Sequence, residues 1–295
     1  MTNADVYQIV TDRIIAEMEK GRIPWKQGWR GGRNGAYNRV SLKPYSLLNQ
    51  LMLKHQDAYI TFNQAKSMGG HVKKGAKAEQ VFFWKMLEKD KGEKDDSGNP
   101  LKDKIPILKY YSVFWIGDTI GIKPPSDEEL KQLETVKAPE DIISGYLGAG
   151  GPKFFNQTLS GEAFYRPSTD EVHVPMLGQF SDNAEYYSTV FHELTHSTGH
   201  KSRLNREGVQ GVSSFGSETY SKEELIAELG AAMLCNIGQI ETPETFKNST
   251  AYLQSWLQAL KNDKSLIVTA SGKAQKAVDW ILGKRGEQNE VPVRA

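Results

Sequence analysis

The sequence predicts an α+β protein of two domains, a small α+β domain at residues 1–122 and a mainly helical domain with a small β-sheet at residues 123–295. A chain of 295 residues is long for a single hydrophobic core, which favours two domains. The charge changes sign near the Pro124-Pro125 pair: residues 1–125 contain 21 Lys/Arg and 13 Asp/Glu, whereas the rest of the chain contains 16 and 23. Aromatic, strand-like segments lie before this boundary, and helical periodicity dominates after it.

The first domain should begin with an amphipathic helix at residues 4–20, where apolar residues recur at helical spacing. Short helices are predicted at 46–54 and 63–68. The segments 80–85 and 108–115 are rich in aromatic and β-branched residues and are predicted to be strands. The charged, glycine-containing segment 88–104 between them is predicted to be a mobile loop or a hairpin tip.

The second domain should consist of helices separated by three short strands. The predicted strands lie around 153–156, 163–166 and 171–175. The predicted helices lie at 126–134, 138–147, 182–199, 221–237, 243–262 and 273–283. No apolar run approaches 18 residues, so no membrane span or membrane partner is expected. A single cysteine, Cys235, and an N-terminus without a secretory pattern favour a cytoplasmic location.

The pentad His192-Glu193-Leu194-Thr195-His196 has the HExxH pattern. Because residues four apart share one face of an α-helix, His192 and His196 could bind one Zn²⁺ ion through two of its four tetrahedral positions. Glu193 would take a proton from metal-activated water and pass it to the leaving amine. The pentad therefore predicts a zinc-dependent peptidase site, the alternative being a polar helix face that carries two histidines by chance.

A catalytic zinc ion usually has three protein ligands, so a third ligand is needed. Glu224 and Glu228 lie four residues apart on a predicted helix that is otherwise apolar, where unpaired carboxylates would be costly. In glutamate-liganded zinc peptidases, which this pattern resembles, the first such acid binds the metal and the second orients a ligating histidine. The resemblance implies Glu224 as the ligand and Glu228 as the orienting group, although the spacing alone allows the reverse. Glu223 is expected to be a solvated charge, and His200 is a less favoured ligand.

Two further expectations concern the substrate of this site. The strand predicted at 171–175 lies shortly before the HExxH helix and is expected to offer an edge along which an extended peptide could pair. A metal-dependent nuclease fits the ligand set less well, because nucleases commonly use carboxylate-rich sites with Mg²⁺ or paired metals.

The N-terminal part of the chain is strongly basic. Between Lys20 and Lys85 there are 13 basic residues and two acidic ones, a net charge of +11 over 66 residues, which indicates a polyanionic partner. Aromatic residues lie among the basic ones, a combination typical of single-stranded nucleic-acid binding, since cations neutralise phosphates and rings stack on bases. The residues predicted to contact nucleic acid are Trp25, Trp29, Arg39, Lys73, Lys74, Lys77 and Trp84.

Motifs along nearly the whole chain resemble one known family. The N-terminal part contains Ile23-Pro24-Trp25, Tyr45-Ser46-Leu47-Leu48-Asn49 and Phe83-Trp84-Lys85, and the C-terminal part contains the segments 191–200 and 223–229. With these motifs the chain resembles the ArdC-type antirestriction proteins of conjugative plasmids. The resemblance implies an N-terminal single-stranded-DNA-binding domain, shared with plasmid primases of the TraC type, and a C-terminal zincin-like metallopeptidase domain.

The resemblance also implies a biological role, the protection of incoming plasmid DNA from host restriction. Single-stranded DNA is the expected partner, and a host restriction or DNA-associated protein would be the peptide substrate. The resemblance does not imply that peptide hydrolysis is the means of protection. The alternative is a DNA-shielding protein whose metal site is structural or is not needed for protection.

Overall fold

The computed structural model describes residues 3–26, 35–94, 100–126, 128–129, 137–156, 161–210, 218–240 and 250–284. The predicted α+β class is confirmed. The helices described are α1 (Asn3–Met18), α2 (Leu47–Met52), α3 (Phe62–Ser67), α4 (Pro139–Gly148), α5 (Asn183–Ser197), α6 (Glu207–Gln210), α7 (Glu218–Ile237), α8 (Thr250–Asn262) and α9 (Leu266–Ile281). The strands described are β1 (Tyr37–Asn38), β2 (Ala58–Ile60), β3 (His71–Val72), β4 (Glu79–Lys94), β5 (Pro100–Trp115), β6 (Thr119–Ile120), β7 (Lys153–Phe155), β8 (Phe164–Arg166) and β9 (Glu171–His173). Within the described ranges, none of these helices has the length and apolar character needed to cross a membrane.

The strands before residue 122 form two sheets. The larger sheet has the order β1-β2-β5-β4, in which β1 and β2 are parallel and the other pairs are antiparallel. β3 and β6 form a separate antiparallel pair. The ladder between β4 and β5 runs from Glu79 opposite Val113 to Asp90 opposite Lys102, and it resumes at Lys94 opposite Pro100 after a shift of register. Of the two expectations for segment 88–104, the mobile loop is therefore wrong for the described residues, because backbone pairing continues through the charged sequence as a long hairpin.

The largest hydrophobic core joins the N-terminal half of the chain (residues up to 122) to the C-terminal half (residues from 123). Val10 and Ile14 of α1 lie in one cluster with Leu225 and Leu229 of α7 and with apolar residues of α8 and α9. The hydroxyl of Thr11 also donates to the carbonyl oxygen of Lys264. The domain boundary between residues 122 and 123 stays a prediction, and the two halves share a core across it.

A second core lies between α5 and a three-stranded sheet. Val190 and Leu194 of α5 pack with Tyr146 of α4 and Val172 of β9. The sheet has the order β7-β9-β8, with β9 parallel to β7 and antiparallel to β8. Because β9 is paired on both sides, the prediction that it offers a free edge to a peptide is wrong, and the edges of this described sheet are β7 and β8.

Candidate metal centre

Helix α5 carries the HExxH pentad and has a well-defined start. The carboxylate of Asp182, the N-cap residue, accepts a hydrogen bond of 2.8 Å from the backbone N–H of Glu185. This bond satisfies one of the N–H groups that lack a partner in the first turn of a helix. Val190 and Leu194 face the core, which leaves His192 and His196 on another face with side chains that are 21% and 13% exposed. The two imidazoles are therefore anchored by the core yet accessible.

Helix α7 supplies the carboxylate that faces these histidines. The two helices approach closely at Gly230, where an added Cβ would lie 2.6 Å from Cγ2 of Thr195. Only a residue without a side chain permits this approach. Leu225 and Leu229 bury the opposite side of α7 in the shared core. Packing on both sides thus holds α7 at a fixed distance from α5.

The structure brings His192, His196 and Glu224 together. The Nε2 atoms of the two histidines are 3.1 Å apart, and the carboxylate oxygens of Glu224 lie 3.5 Å from Nε2 of His192 and 3.4 Å from Nε2 of His196. Ligand atoms at about 2.0–2.1 Å from a tetrahedral Zn²⁺ are roughly 3.3 Å from one another. Among the described residues these three form the group whose donor atoms could hold a metal ion. The donor set of two imidazoles and one carboxylate fits a catalytic zinc site.

The electrostatics of the cluster reflect its crowding. Burial lowers the pKa of His196, but hydrogen bonds to Glu223 and Glu224 and the negative charge of Glu193 outweigh it and raise the pKa to about 10. Burial raises the pKa of Glu224, and the two imidazoles reverse this effect and hold that pKa well below its usual range. Glu193, the predicted general base, is 7% exposed beside His192. A cation at this place would meet acidic groups and could replace the proton on His196.

Glu223 corrects one expectation of the sequence. It is 5% exposed rather than solvated, and its Oε1 atom lies 3.4 Å from Nδ1 of His196. The guanidinium group of Arg206 donates to both of its carboxylate oxygens. Glu223, which the sequence did not assign to this task, therefore contacts a candidate ligand from behind. Glu228, the predicted orienting group, is partly exposed on α7, and its role stays a prediction.

The remaining histidine near the pentad lies apart from the cluster. His200 follows α5 in a turn, and its Nδ1 atom is 2.8 Å from the exposed hydroxyl of Ser202. It does not belong to the metal-capable group found among the described residues.

Four of the residues predicted to contact nucleic acid are exposed. Lys73, Lys74 and Lys77 lie in the turn between β3 and β4, and Nζ of Lys73 donates to the carbonyl oxygen of Gly117. Trp84 on the edge strand β4 is 44% exposed, and its ring centroid is 6.4 Å from that of Tyr7. These positions are accessible to a partner.

Two other predicted contacts are buried. Trp25 is 1% exposed and packs edge-on against Trp256 at 6.2 Å in the shared core, so neither face of its ring is open to a base. Arg39 is 7% exposed and donates to the carbonyl oxygen of Lys123 and to Glu129, which already neutralises its charge. The predictions for Trp25 and Arg39 are therefore wrong. Trp29 lies outside the described residues.

The chain resembles two families of known domains, one on each side of the predicted boundary. Residues 4–114 match the N-terminal domain of anti-restriction factor ArdC, and residues 151–273 match the zincin-like metallopeptidase family. Two proteins of Escherichia coli named DNA primase TraC are each 32% identical over 96% of this chain, which spans 20% of one primase and 27% of the other. The uncharacterized protein y4eC of Sinorhizobium fredii is 30% identical, and the match covers 99% of this chain and 96% of that protein.

Solved structures give a match of similar extent. The metal-free crystal structure of the antirestriction ArdC protein from the R388 plasmid has 35% identity and a TM-score of 0.71, covering 94% of this chain and 97% of that one. Its Mn(II)-bound structure has 34% identity and the same TM-score of 0.71, covering 96% and 99%. With this coverage in sequence and in structure, the chain belongs to the ArdC family of antirestriction proteins.

Proposed function

We propose that this protein binds single-stranded DNA, protects incoming plasmid DNA from host restriction and carries a zinc-dependent peptidase site. The observation that carries the proposal is the cluster of His192, His196 and Glu224, whose donor atoms are 3.1–3.5 Å apart. Membership of the ArdC family supports the antirestriction role, and the similarity to TraC primases supports a DNA partner.

In the proposed site, His192, His196 and Glu224 hold the metal ion and Glu193 moves the proton. A bound Zn²⁺ supplies Lewis acidity, which polarises a carbonyl oxygen and makes water at the site more acidic. The carboxylate of Glu193 accepts the proton of the attacking water and delivers it to the leaving amine. Its near-complete burial keeps this carboxylate beside the ligands rather than in bulk solvent.

The choice of Zn²⁺ rests on the donor set. Two imidazoles and one carboxylate suit zinc, whereas carboxylate- and water-rich sites suit Mg²⁺ and Mn²⁺. The Mn(II)-bound structure of the R388 protein supports a divalent cation at a site of this family. Metal analysis of the purified protein, followed by competition between Zn²⁺ and Mn²⁺, should give one Zn²⁺ per chain and retention of zinc in equimolar Mn²⁺.

The proposed DNA surface consists of the exposed turn with Lys73, Lys74 and Lys77 and of exposed aromatic rings. The three ammonium groups would neutralise phosphates without reading sequence. Phe62, at the start of α3, is 58% exposed and joins Trp84 as a ring on which a base could stack. Its exposure could not be read from the sequence, where it is one of many aromatic residues.

The second candidate function is that of a DNA-shielding protein whose metal ion is structural. The observation that favours it is the shared core, because Leu225 and Leu229 anchor the helix that carries Glu224 against α1 of the N-terminal half. A metal ion there would stabilise the contact between the two halves whether or not a peptide is hydrolysed.

Protection of an unmodified plasmid from restriction separates the two functions. Wild type and Glu193→Gln would be compared at matched expression, with DNA affinity and metal content measured for both proteins. The peptidase proposal expects the variant to lose protection while binding DNA and metal as before. Full protection by Glu193→Gln would contradict it and favour the DNA-shielding function, and a host restriction or DNA-associated protein would no longer be needed as a substrate.

A further inference from the structure

Two arginines in the segment after α5 cap the C-terminal end of that helix. Nε of Arg203 donates to the carbonyl oxygen of Ser197 at 2.8 Å, and Nη2 of Arg206 donates to that of Thr195 at 2.8 Å. The last four carbonyl groups of a helix have no partner within it, and a cation near them also interacts favourably with the helix dipole. Both arginines thus hold the end of the helix on which His192 and His196 lie.

Arg206 also forms a buried ion pair with Glu223. Its Nε atom is 3.0 Å from Oε2 and its Nη2 atom 2.6 Å from Oε1 of the carboxylate, and both side chains are 6% exposed. The backbone at Gly208 lies close to this pair, since an added Cβ would be 3.0 Å from Cβ of Glu223. A buried ion pair of this kind often adds little net stability compared with apolar side chains, so its geometry calls for another explanation.

Glu223 and Glu224 lie on opposite sides of the same imidazole. Oε1 of Glu223 is 3.4 Å from Nδ1 of His196, and Oε1 of Glu224 is 3.4 Å from Nε2. Consecutive helical residues are rotated by about 100°, which lets neighbouring side chains reach the two ring nitrogens from different directions. A neutral imidazole carries one N–H, and an acceptor at Nδ1 favours the tautomer whose Nε2 lone pair is free.

We propose that Arg206 and Glu223 are positioning residues for His196: Arg206 fixes the Glu223 carboxylate, which accepts the Nδ1–H of His196 and directs Nε2 toward the metal. This inference rests on the proposed metal centre and names a part of it that the HExxH pattern does not contain. It adds Glu223 as an orienting group for His196, and the role of Glu228 stays a prediction. Arg206 links the position of Glu223 to the end of α5, because the same guanidinium group binds the Glu223 carboxylate and the carbonyl oxygen of Thr195.

Arg203 and Asp170 form the matched control that the chain provides. Nη1 of Arg203 donates to Oδ2 of Asp170 at 3.0 Å, and the same arginine caps α5. Asp170 lies in the turn between β8 and β9, and its carboxylate also accepts a hydrogen bond from Tyr165. Each pair consists of an arginine that caps α5 and a carboxylate that binds it, but of the two carboxylates in the described structure only that of Glu223 contacts a member of the metal-capable group.

The test is the Zn²⁺ affinity of the full chain, measured by competition with a chromophoric chelator. Glu223→Gln weakens the acceptor at Nδ1, and the double variant Glu223→Leu/Arg206→Leu removes it without leaving an unpaired buried arginine. Both are expected to bind Zn²⁺ about 10–100-fold more weakly than the wild type. Asp170→Asn should stay within about threefold of the wild type, since it alters the helix end but no group behind a ligand. With Co²⁺ as the probe, the visible absorption spectrum should change in the Glu223 variants and not in Asp170→Asn.

Wild-type affinity in both Glu223 variants would overturn the positioning role. An equal loss in Asp170→Asn would also overturn it, because general stabilisation of the helix end would then suffice. Absence of Zn²⁺ binding by the wild-type chain would instead overturn the proposed metal centre itself. If Glu223→Gln does not fold, as circular dichroism would show, the double variant decides.

Discussion

The candidate metal centre and the proposed DNA surface differ in how many contacts their side chains make. In the metal centre, His196 is in contact with His192, Glu223 and Glu224, on two helices that pack closely at a glycine. On the proposed DNA surface, Lys73, Lys74 and Lys77 lie in an exposed turn. A metal ion requires ligand atoms at fixed distances, whereas a phosphate backbone requires positive charge nearby. The contrast teaches that side-chain contacts are concentrated where the proposed chemistry needs fixed geometry.

The largest expected effects come from removing two tryptophan rings, one buried in the shared core and one exposed on the proposed DNA surface. Trp25→Ala should lower the free energy of unfolding by about 3–5 kcal/mol, because the ring is fully buried in the core shared by both halves. Trp84→Ala, at an exposed ring, should change stability little and weaken single-stranded DNA binding by about 1–3 kcal/mol. Urea denaturation and fluorescence anisotropy with a labelled oligonucleotide would measure the two effects. A stable Trp25→Ala protein that loses DNA affinity would contradict the assignment of this ring to the core.

Charge reversal at Lys73, Lys74 and Lys77 should separate the surface from the metal centre. Loss of three phosphate contacts is expected to reduce the salt dependence of single-strand binding by about two units in the log–log slope. At 0.15 M salt this corresponds to a loss of affinity of about tenfold to a hundredfold. Zn²⁺ affinity should not change. Reversal of the exposed Lys273 and Lys276 on α9 is the control, and an equal loss of DNA affinity there would show that net charge rather than this turn binds the strand.

The close approach of α5 and α7 should respond to a single added methyl group. Gly230→Ala places a Cβ 2.6 Å from Thr195, which we expect to cost about 1–3 kcal/mol of stability and to weaken Zn²⁺ binding by displacing Glu224. Gly272→Ala on α9 is the matched control, since nothing lies within 4 Å of its added Cβ, and it should stabilise the helix by about 0.4–1 kcal/mol. Thermal unfolding and chelator competition would measure both. Unchanged Zn²⁺ affinity in Gly230→Ala would mean that this contact does not set the ligand distances.

The smallest effect concerns Asp170 and depends on pH. Burial raises the pKa of Asp170, but hydrogen bonds from Arg203 and Tyr165 outweigh it and hold the pKa below its usual value. A depressed pKa in the folded state contributes stability above the unfolded-state pKa of about 4, and this contribution is lost as the pH falls through the folded-state value. Asp170→Asn should therefore be less stable than the wild type by about 1–2 kcal/mol at pH 7, with the difference closing in acid.

Urea denaturation at pH 7 and at pH 3 would check this. Asparagine tolerates the positive φ of 53° at this position, so backbone strain should not contribute. A stability difference that is the same at both pH values would contradict the ionic origin.

The pentad helix was predicted closely from the sequence, at 182–199 for the observed Asn183–Ser197. In the HExxH pattern the two histidine ligands of one metal ion lie four residues apart, and this spacing is also typical of one face of a helix. The contacts of Glu223 and Arg206 could not be predicted, since they depend on how the segment after α5 folds back onto α7. Trp25 was misjudged for a similar reason. An aromatic residue among basic ones is compatible with a surface or a core, and its partner Trp256 lies far along the chain. The pairing of β9 with strands on both sides likewise could not be predicted, because the sequence of one strand does not show which strands pair with it or in which register.

The measurement that tests the metal centre most directly compares two glutamates one turn apart on α7. Zn²⁺ affinity would be determined by chelator competition for the wild type, Glu224→Gln and Glu228→Gln. The geometry predicts one Zn²⁺ per wild-type chain, a loss of more than about a hundredfold in Glu224→Gln, and a smaller loss in Glu228→Gln, which is not a member of the metal-capable group among the described residues. A loss confined to Glu228→Gln, or equal binding by all three proteins, would contradict a centre formed by His192, His196 and Glu224.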